Sequence, residues 1–68
     1  MRLREIRKKK GLSQLKVALD LNTNQNTISR YETGEREPGL NELIKIADYF
    51  NVSIDYLLER TNNPNINE

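Results

Sequence analysis

Residues 12–34, Leu-Ser-Gln-Leu-Lys-Val-Ala-Leu-Asp-Leu-Asn-Thr-Asn-Gln-Asn-Thr-Ile-Ser-Arg-Tyr-Glu-Thr-Gly, constrain the fold more than any other stretch. Ser13 can cap a helix over about residues 14–21, on which Val17, Ala18 and Leu21 share one face. Lys16 stands where a capping box would have an acid. Asn22-Thr23 fits a tight turn, because asparagine enters the left-handed backbone region more readily than most residues with a side chain. Asn24 then caps a helix over about residues 25–32, whose inward stripe is only Ile28 and Tyr31. Gln25, Asn26, Ser29 and Arg30 face away from that stripe. A helix this polar is poorly suited to standing alone in water, so its neighbours must hold it.

The flanking sequence supplies such neighbours. Leu3, Ile6 and Leu12 punctuate a basic segment that reads as a helix over 2–10, ended by Gly11 at a position suited to a left-handed C-cap. Lys8, Lys9 and Lys10 in its last turn complement the helix dipole. Residues 34–39, Gly-Glu-Arg-Glu-Pro-Gly, read as a loop. A helix over about 40–50 follows, with Leu43, Ile46, Ala47 and Phe50 as its stripe, and Asn51 ends it. A last short helix, about 53–59, turns Ile54, Leu57 and Leu58 inward, with Val52 packing just before it. The expected fold is all-α: five short helices around one core, one domain over residues 1–60, and a frayed polar tail over 61–68. Leu15 and Leu19 lie on another side of the second helix, either partly exposed or touching another helix.

Composition narrows the functions open to such a domain. Cysteine and histidine are absent, which removes disulfides, thiolate ligands and the commonest general base and metal ligand. The carboxylates show no metal-ligand spacing, the serines lack a base to activate them, and there is no glycine-rich phosphate loop. The chain is therefore expected not to be an enzyme, and to need no cofactor, metal or small-molecule ligand. No apolar run reaches the roughly 18 residues of a membrane span, and residues 1–12 are too charged for a signal peptide, so a cytoplasmic location is expected. The net charge of +1 hides an asymmetry. Residues 1–36 carry nine basic and four acidic side chains, whereas 37–68 carry two and six. The first half suits a polyanion.

Leu12-Ser13-Gln14, Ala18, Leu21, Thr27-Ile28-Ser29-Arg30-Tyr31-Glu32, Gly34 and Pro38, with Ile46-Ala47 and Phe50-x-Val52-Ser53-Ile54-Asp55-Tyr56-Leu57 beyond, closely resemble the phage repressor and Cro helix-turn-helix family. The resemblance runs from about Leu3 to Leu58. It implies a repressor-like five-helix domain whose second and third helices form the helix-turn-helix, with the third lying in the DNA major groove. The chain departs from the family at Asn22, where glycine is usual, and at Leu15 and Lys16, where acidic residues are common.

On that reading Gln25 and Asn26 are base readers, since an amide side chain pairs bidentately with adenine N6 and N7. Their alternative role is to satisfy backbone groups at a helix start. Arg30 reaches guanine or a phosphate, and Ser29 touches a base only on close approach. Gln14, Asn24, Thr27 and Arg36 are the expected phosphate contacts. The resemblance implies a structural ion pair between Arg7 and Glu32, fixing the angle of the third helix. It also points to Ile54 and Tyr56 as a dimer interface, where tyrosine is enriched.

The expected function is sequence-specific binding of double-stranded DNA by a small transcriptional regulator. It is expected to act as a repressor, as a homodimer on a pseudo-palindromic operator. The alternative is a protein-interaction module, such as an antitoxin or the partner of a larger regulator, which exposure of Leu15 and Leu19 would favour.

Overall fold

The computed structural model describes residues 1–65. They form α1 (Leu3–Lys9), α2 (Gln14–Asp20), α3 (Gln25–Thr33), α4 (Leu40–Phe50) and α5 (Ile54–Leu57). Three of these helices start on a side-chain cap. Ser13 Oγ accepts from the Lys16 N–H at 3.0 Å, Asn24 Oδ1 from Thr27 at 2.9 Å and Ser53 Oγ from Tyr56 at 3.0 Å. Helix ends share a different device. A residue at positive φ follows every helix: Gly11 (69°), Asn22 (59°), Gly34 (84°), Asn51 (56°) and Glu59 (65°). Left-handed residues turn the chain out of the helix axis while the last carbonyls keep partners.

Each helix contributes to one core. Leu3 and Ile6 come from α1, Val17 and Ala18 from α2, Ile28 and Tyr31 from α3, Ile46, Ala47 and Phe50 from α4, and Leu57 from α5, with Val52 before it. Leu3, Val17, Ile28, Ile46 and Leu57 lose nearly all contact with water, a burial worth about 1.5–3 kcal/mol each. Within this arrangement α2 and α1 pack against α3, and α4 packs on α5. Tyr49 Oη donates to Asp20 Oδ2 at 2.5 Å, tying α4 to the end of α2, and Lys16 pairs with the same carboxylate at 3.2 Å.

The last helix departs from expectation. It spans Ile54–Leu57, not 53–59, and Leu58 is 40% exposed instead of buried. Leu58 keeps near-helical backbone angles and donates its N–H to Ile54 O, so its side chain lies about 100° round the axis from buried Leu57. The left-handed turn at Glu59 then stops the helix as the Glu59 and Arg60 N–H groups close back onto Tyr56 and Asp55. Arg2 clasps the segment that follows. Its Nε donates to the Tyr56 carbonyl at 2.8 Å, and its Nη2 donates to Thr61 O and Asn62 Oδ1, both at 3.0 Å. The guanidinium also sits 4.5 Å from the Tyr56 ring centroid. Ser53 N–H donates to Pro64 O at 3.0 Å. Thr61, Asn62 and Pro64 of the expected tail are thus hydrogen-bonded to the domain, and its residues 66–68 lie outside the described residues.

Candidate nucleic-acid interface

The connection between α2 and α3 sets how α3 is presented. Thr23 N–H donates to Ala18 O at 2.8 Å and Asn22 N–H to Leu19 O at 3.2 Å, so the chain reverses in the space of Asn22 and Thr23. Asn24 is extended (φ −121°, ψ 162°), and its cap restarts the helix at once. Ile28 and Tyr31 then bury one side of α3. At about 100° per residue, Gln25, Ser29, Asn26 and Arg30 fall within an outward arc of roughly 140°. Gln25, Asn26 and Arg30 are exposed, while Ser29 is half-buried at the arc's inner part. Amides, a hydroxyl and a guanidinium therefore share one convex surface.

The residues expected to hold phosphate are less uniform. Asn24 spends its carbonyl oxygen on the Thr27 N–H and on the Thr27 hydroxyl, at 2.9 and 3.0 Å. Half-buried Thr27 thereby donates its hydroxyl proton inside the motif. Arg36 is exposed beside the end of α3, with its backbone N–H on Arg30 O at 3.3 Å and its guanidinium 6.0 Å from the Tyr31 ring centroid. Neither Arg30 nor Arg36 enters an ion pair among the described residues, so both charges are available to a ligand.

Behind this surface lies a bidentate pair. Arg7 Nε donates to Glu32 Oε2 at 2.7 Å and Nη2 to Glu32 Oε1 at 3.1 Å, while Nη1 donates to Leu12 O at 2.8 Å. The side chains are 10% and 3% exposed. Their hydrogen bonds hold the Arg7 guanidinium above its ordinary pKa, against the opposing effect of burial. Glu32 belongs to α3 and Arg7 to α1, so the pair fixes how α3 lies on the domain.

The chain of contacts continues outward, a feature that reading the sequence missed. Gln14 Nε2 donates to Glu32 Oε1 at 3.1 Å, and Gln25 Nε2 donates to Gln14 Oε1 at 3.4 Å. The signal for it is spacing. Gln25 and Glu32 are seven residues apart on α3 and so share a face, and Gln14 opens the helix packed against that face. Ile54 and Tyr56 lie apart from all of this, on α5. Ile54 shares a groove between α4 and α5 with Ile44, and the half-buried Tyr56 is stacked on Arg2. Among the described residues there is no cluster of metal-ligating side chains, and no helix is long and apolar enough to cross a membrane.

Known proteins are similar to this sequence. The Helix-turn-helix family model matches residues 3–57. Three Bacillus subtilis (strain 168) proteins are similar. The HTH-type transcriptional regulator ImmR is 44% identical over 57 residues, covering 84% of this chain and 45% of that protein. The HTH-type transcriptional regulator AnsR is 42% identical over 59 residues, covering 87% and 51%. An uncharacterized HTH-type transcriptional regulator, YqaE, is 38% identical over 64 residues, covering 94% and 55%. The chain spans about half the length of the curated relatives it matches. No solved structure matches it significantly. The match over residues 3–57 takes in the turn, the polar helix and the core that carries them, and the chain belongs to the helix-turn-helix family.

Proposed function

We propose that the chain binds double-stranded DNA sequence-specifically, with α3 in the major groove, and regulates transcription as a repressor. The observation that carries this reading is the outward arc of α3, where Gln25, Asn26, Ser29 and Arg30 gather while Ile28 and Tyr31 anchor the opposite side. Amides and arginine are the side chains that read adenine and guanine edges in that groove. Arg36 clamps a phosphate at the far end of α3, and the free amide nitrogen of Asn24, with Thr27 behind it, contacts the backbone at the near end. The similarity to ImmR and AnsR, both named transcriptional regulators, supports the regulatory role.

Two copies act together. A helix of nine residues is about 13 Å long, which spans roughly four base pairs, too few for a unique site. A two-fold pair on a pseudo-palindrome doubles the sequence read, with α3 helices about 34 Å apart in successive major grooves. Ile54 forms the contact between copies with Ile44 beside it in the same groove, and Tyr56, two residues on, contributes from α5.

The test is selection of bound duplexes from a random library at two salt concentrations. The expected result is a two-fold motif with half-site centres about 10 bp apart and binding that weakens steeply with salt. A second reading rests on Leu15 and Leu19, which are 52% and 67% exposed on α2. Recovery of no motif at either salt would favour a protein-interaction module using that pair.

A further inference from the structure

We infer that Leu15 and Leu19 on α2 join this chain to a second copy, through an antiparallel α2–α2 contact that links neighbouring DNA-bound dimers and makes their binding cooperative. The inference rests on the proposal that α3 reads DNA and that copies pair through Ile54. Both leucines are more than half exposed. Val17 and Ala18 turn into the core, and at about 100° per residue the leucine pair lies roughly 130° round the axis from them. The packing of α2 on α3 therefore leaves the pair uncovered. One turn separates the two leucines, so they form an apolar ridge about 6 Å long. Lys16 and Asp20 each follow a leucine by one position and run along one flank of that ridge. They pair at 3.2 Å, and the Tyr49 hydroxyl holds the same carboxylate in place.

The pattern is complementary to itself. A contact between identical copies across a two-fold axis needs a patch in which residue i meets j and j meets i. When two α2 helices lie antiparallel along the ridge, Leu15 meets Leu19 of the second copy at both ends. The two-fold axis keeps the charged flanks on the same side, so Lys16 comes beside Asp20 of the second copy, twice. α2 is neutral as a whole, with one lysine and one aspartate, inside a half of the chain that is basic and repels another copy elsewhere. Size sets when the contact forms. Seven residues span about 10 Å, and two leucines per copy cover far less than the roughly 800 Å² per partner of a stable interface. In dilute solution, copies stay apart at this surface. Copies held side by side on one duplex meet at an effective concentration in the millimolar range. Two equal pseudo-palindromes in tandem have a further two-fold axis midway between them, which is the symmetry this contact needs.

The experiment titrates the full chain onto duplexes carrying one copy, or two tandem copies, of its selected motif, with the spacing stepped through one helical turn. Occupancy of each site is read by footprinting. The expected result is that the second site fills roughly tenfold more tightly than the first in one phase of spacing, and no more tightly half a turn away. Leu15→Gln combined with Leu19→Gln, both at exposed positions, is expected to bind a single site as the wild type does and to lose that factor. Independent filling by the wild type at every spacing overturns the inference. A double variant that keeps the cooperativity, or that only weakens on single sites, also overturns it. A wild type that selects no motif overturns the DNA-reading proposal, and NMR on the free chain then tests the α2 contact by itself. Tenfold cooperativity at a millimolar effective concentration corresponds to a contact that is partly populated between free copies at similar concentrations. The α2 amide shifts of the wild type are therefore expected to move with concentration into the millimolar range, and those of the double variant to stay fixed. Fixed shifts in the wild type overturn the inference and assign the ridge to a different protein, while DNA reading stands wherever a motif was selected.

Discussion

Arg7 carries more of the architecture than any other charged residue. From α1 its guanidinium holds the Leu12 carbonyl before α2 and grips Glu32 on α3. Replacing it with methionine leaves a buried carboxylate unpaired, at a cost of about 3–5 kcal/mol. A domain of this size has a total stability of only about 3–10 kcal/mol. Arg7→Met should therefore be largely unfolded in low urea, as followed by circular dichroism. Arg7→Met with Glu32→Leu should recover most of the loss, because the stranded charge is gone. A double variant no more stable than the single one would show that the pair stabilises in its own right.

The Asp20–Tyr49 contact gives a pH signature at the same scale. The Tyr49 hydroxyl, and then Lys16, hold the Asp20 carboxyl below its ordinary range, and the same bond raises the Tyr49 phenol. A depressed carboxyl contributes stability above its unfolded pKa and loses it as pH falls through the folded value. A raised phenol contributes below its unfolded pKa and loses it as pH rises through the folded value. The gap in Tm between wild type and Tyr49→Phe should be widest near neutrality and close as pH drops below about 4. A constant gap from neutral to strongly acid solution would assign the Tyr49 effect to packing alone.

At the scale of elements, the helix ends are where local chemistry decides most. Gly34 sits at φ 84° with open space around its missing Cβ, so only the backbone resists a side chain there. Gly34→Ala should cost about 1–2 kcal/mol in urea denaturation. An unchanged midpoint would mean the end of α3 is not held in that conformation. The same locality explains what can be read from sequence. The bounds of α2, α3 and α4 follow to within a residue from Ser13, Asn24, Gly34 and Asn51, whose roles depend on immediate neighbours. The end of α5 does not, because Glu59 gives no local sign of a left-handed turn and is bracketed by distant ties to Arg2. The outward arc of α3 follows from periodicity. The link from Gln14 to Gln25 depends on three helices meeting, and an amide's direction is set only by the partner it finds.

For the molecule as a whole, the charge asymmetry of the sequence becomes a division of labour. Among the described residues Arg30 and Arg36 enter no ion pair and lie around the polar end of α3, while the second half of the chain is acidic. Affinity for a duplex should then come mainly from phosphate neutralisation and its released counterions. Arg36→Ala should weaken binding to every sequence alike and reduce the salt slope by about one unit, measured by fluorescence titration. A change in base preference instead would move Arg36 from clamp to reader.

The clasp formed by Arg2 also bears on kinetics. Most contacts around the turn join residues close in sequence, whereas Arg2 reaches Tyr56 and Thr61 across nearly the entire domain. Contacts that close so long a loop are expected to form late, after the nucleus has assembled. An interaction missing from the transition state leaves the folding rate alone and slows escape from the native state. Arg2→Ala should accordingly steepen nothing in the refolding limb of a chevron and accelerate the unfolding limb. Arg2 thus acts as a latch on the domain's lifetime: it has little part in how the helices find one another, and governs how long they stay together.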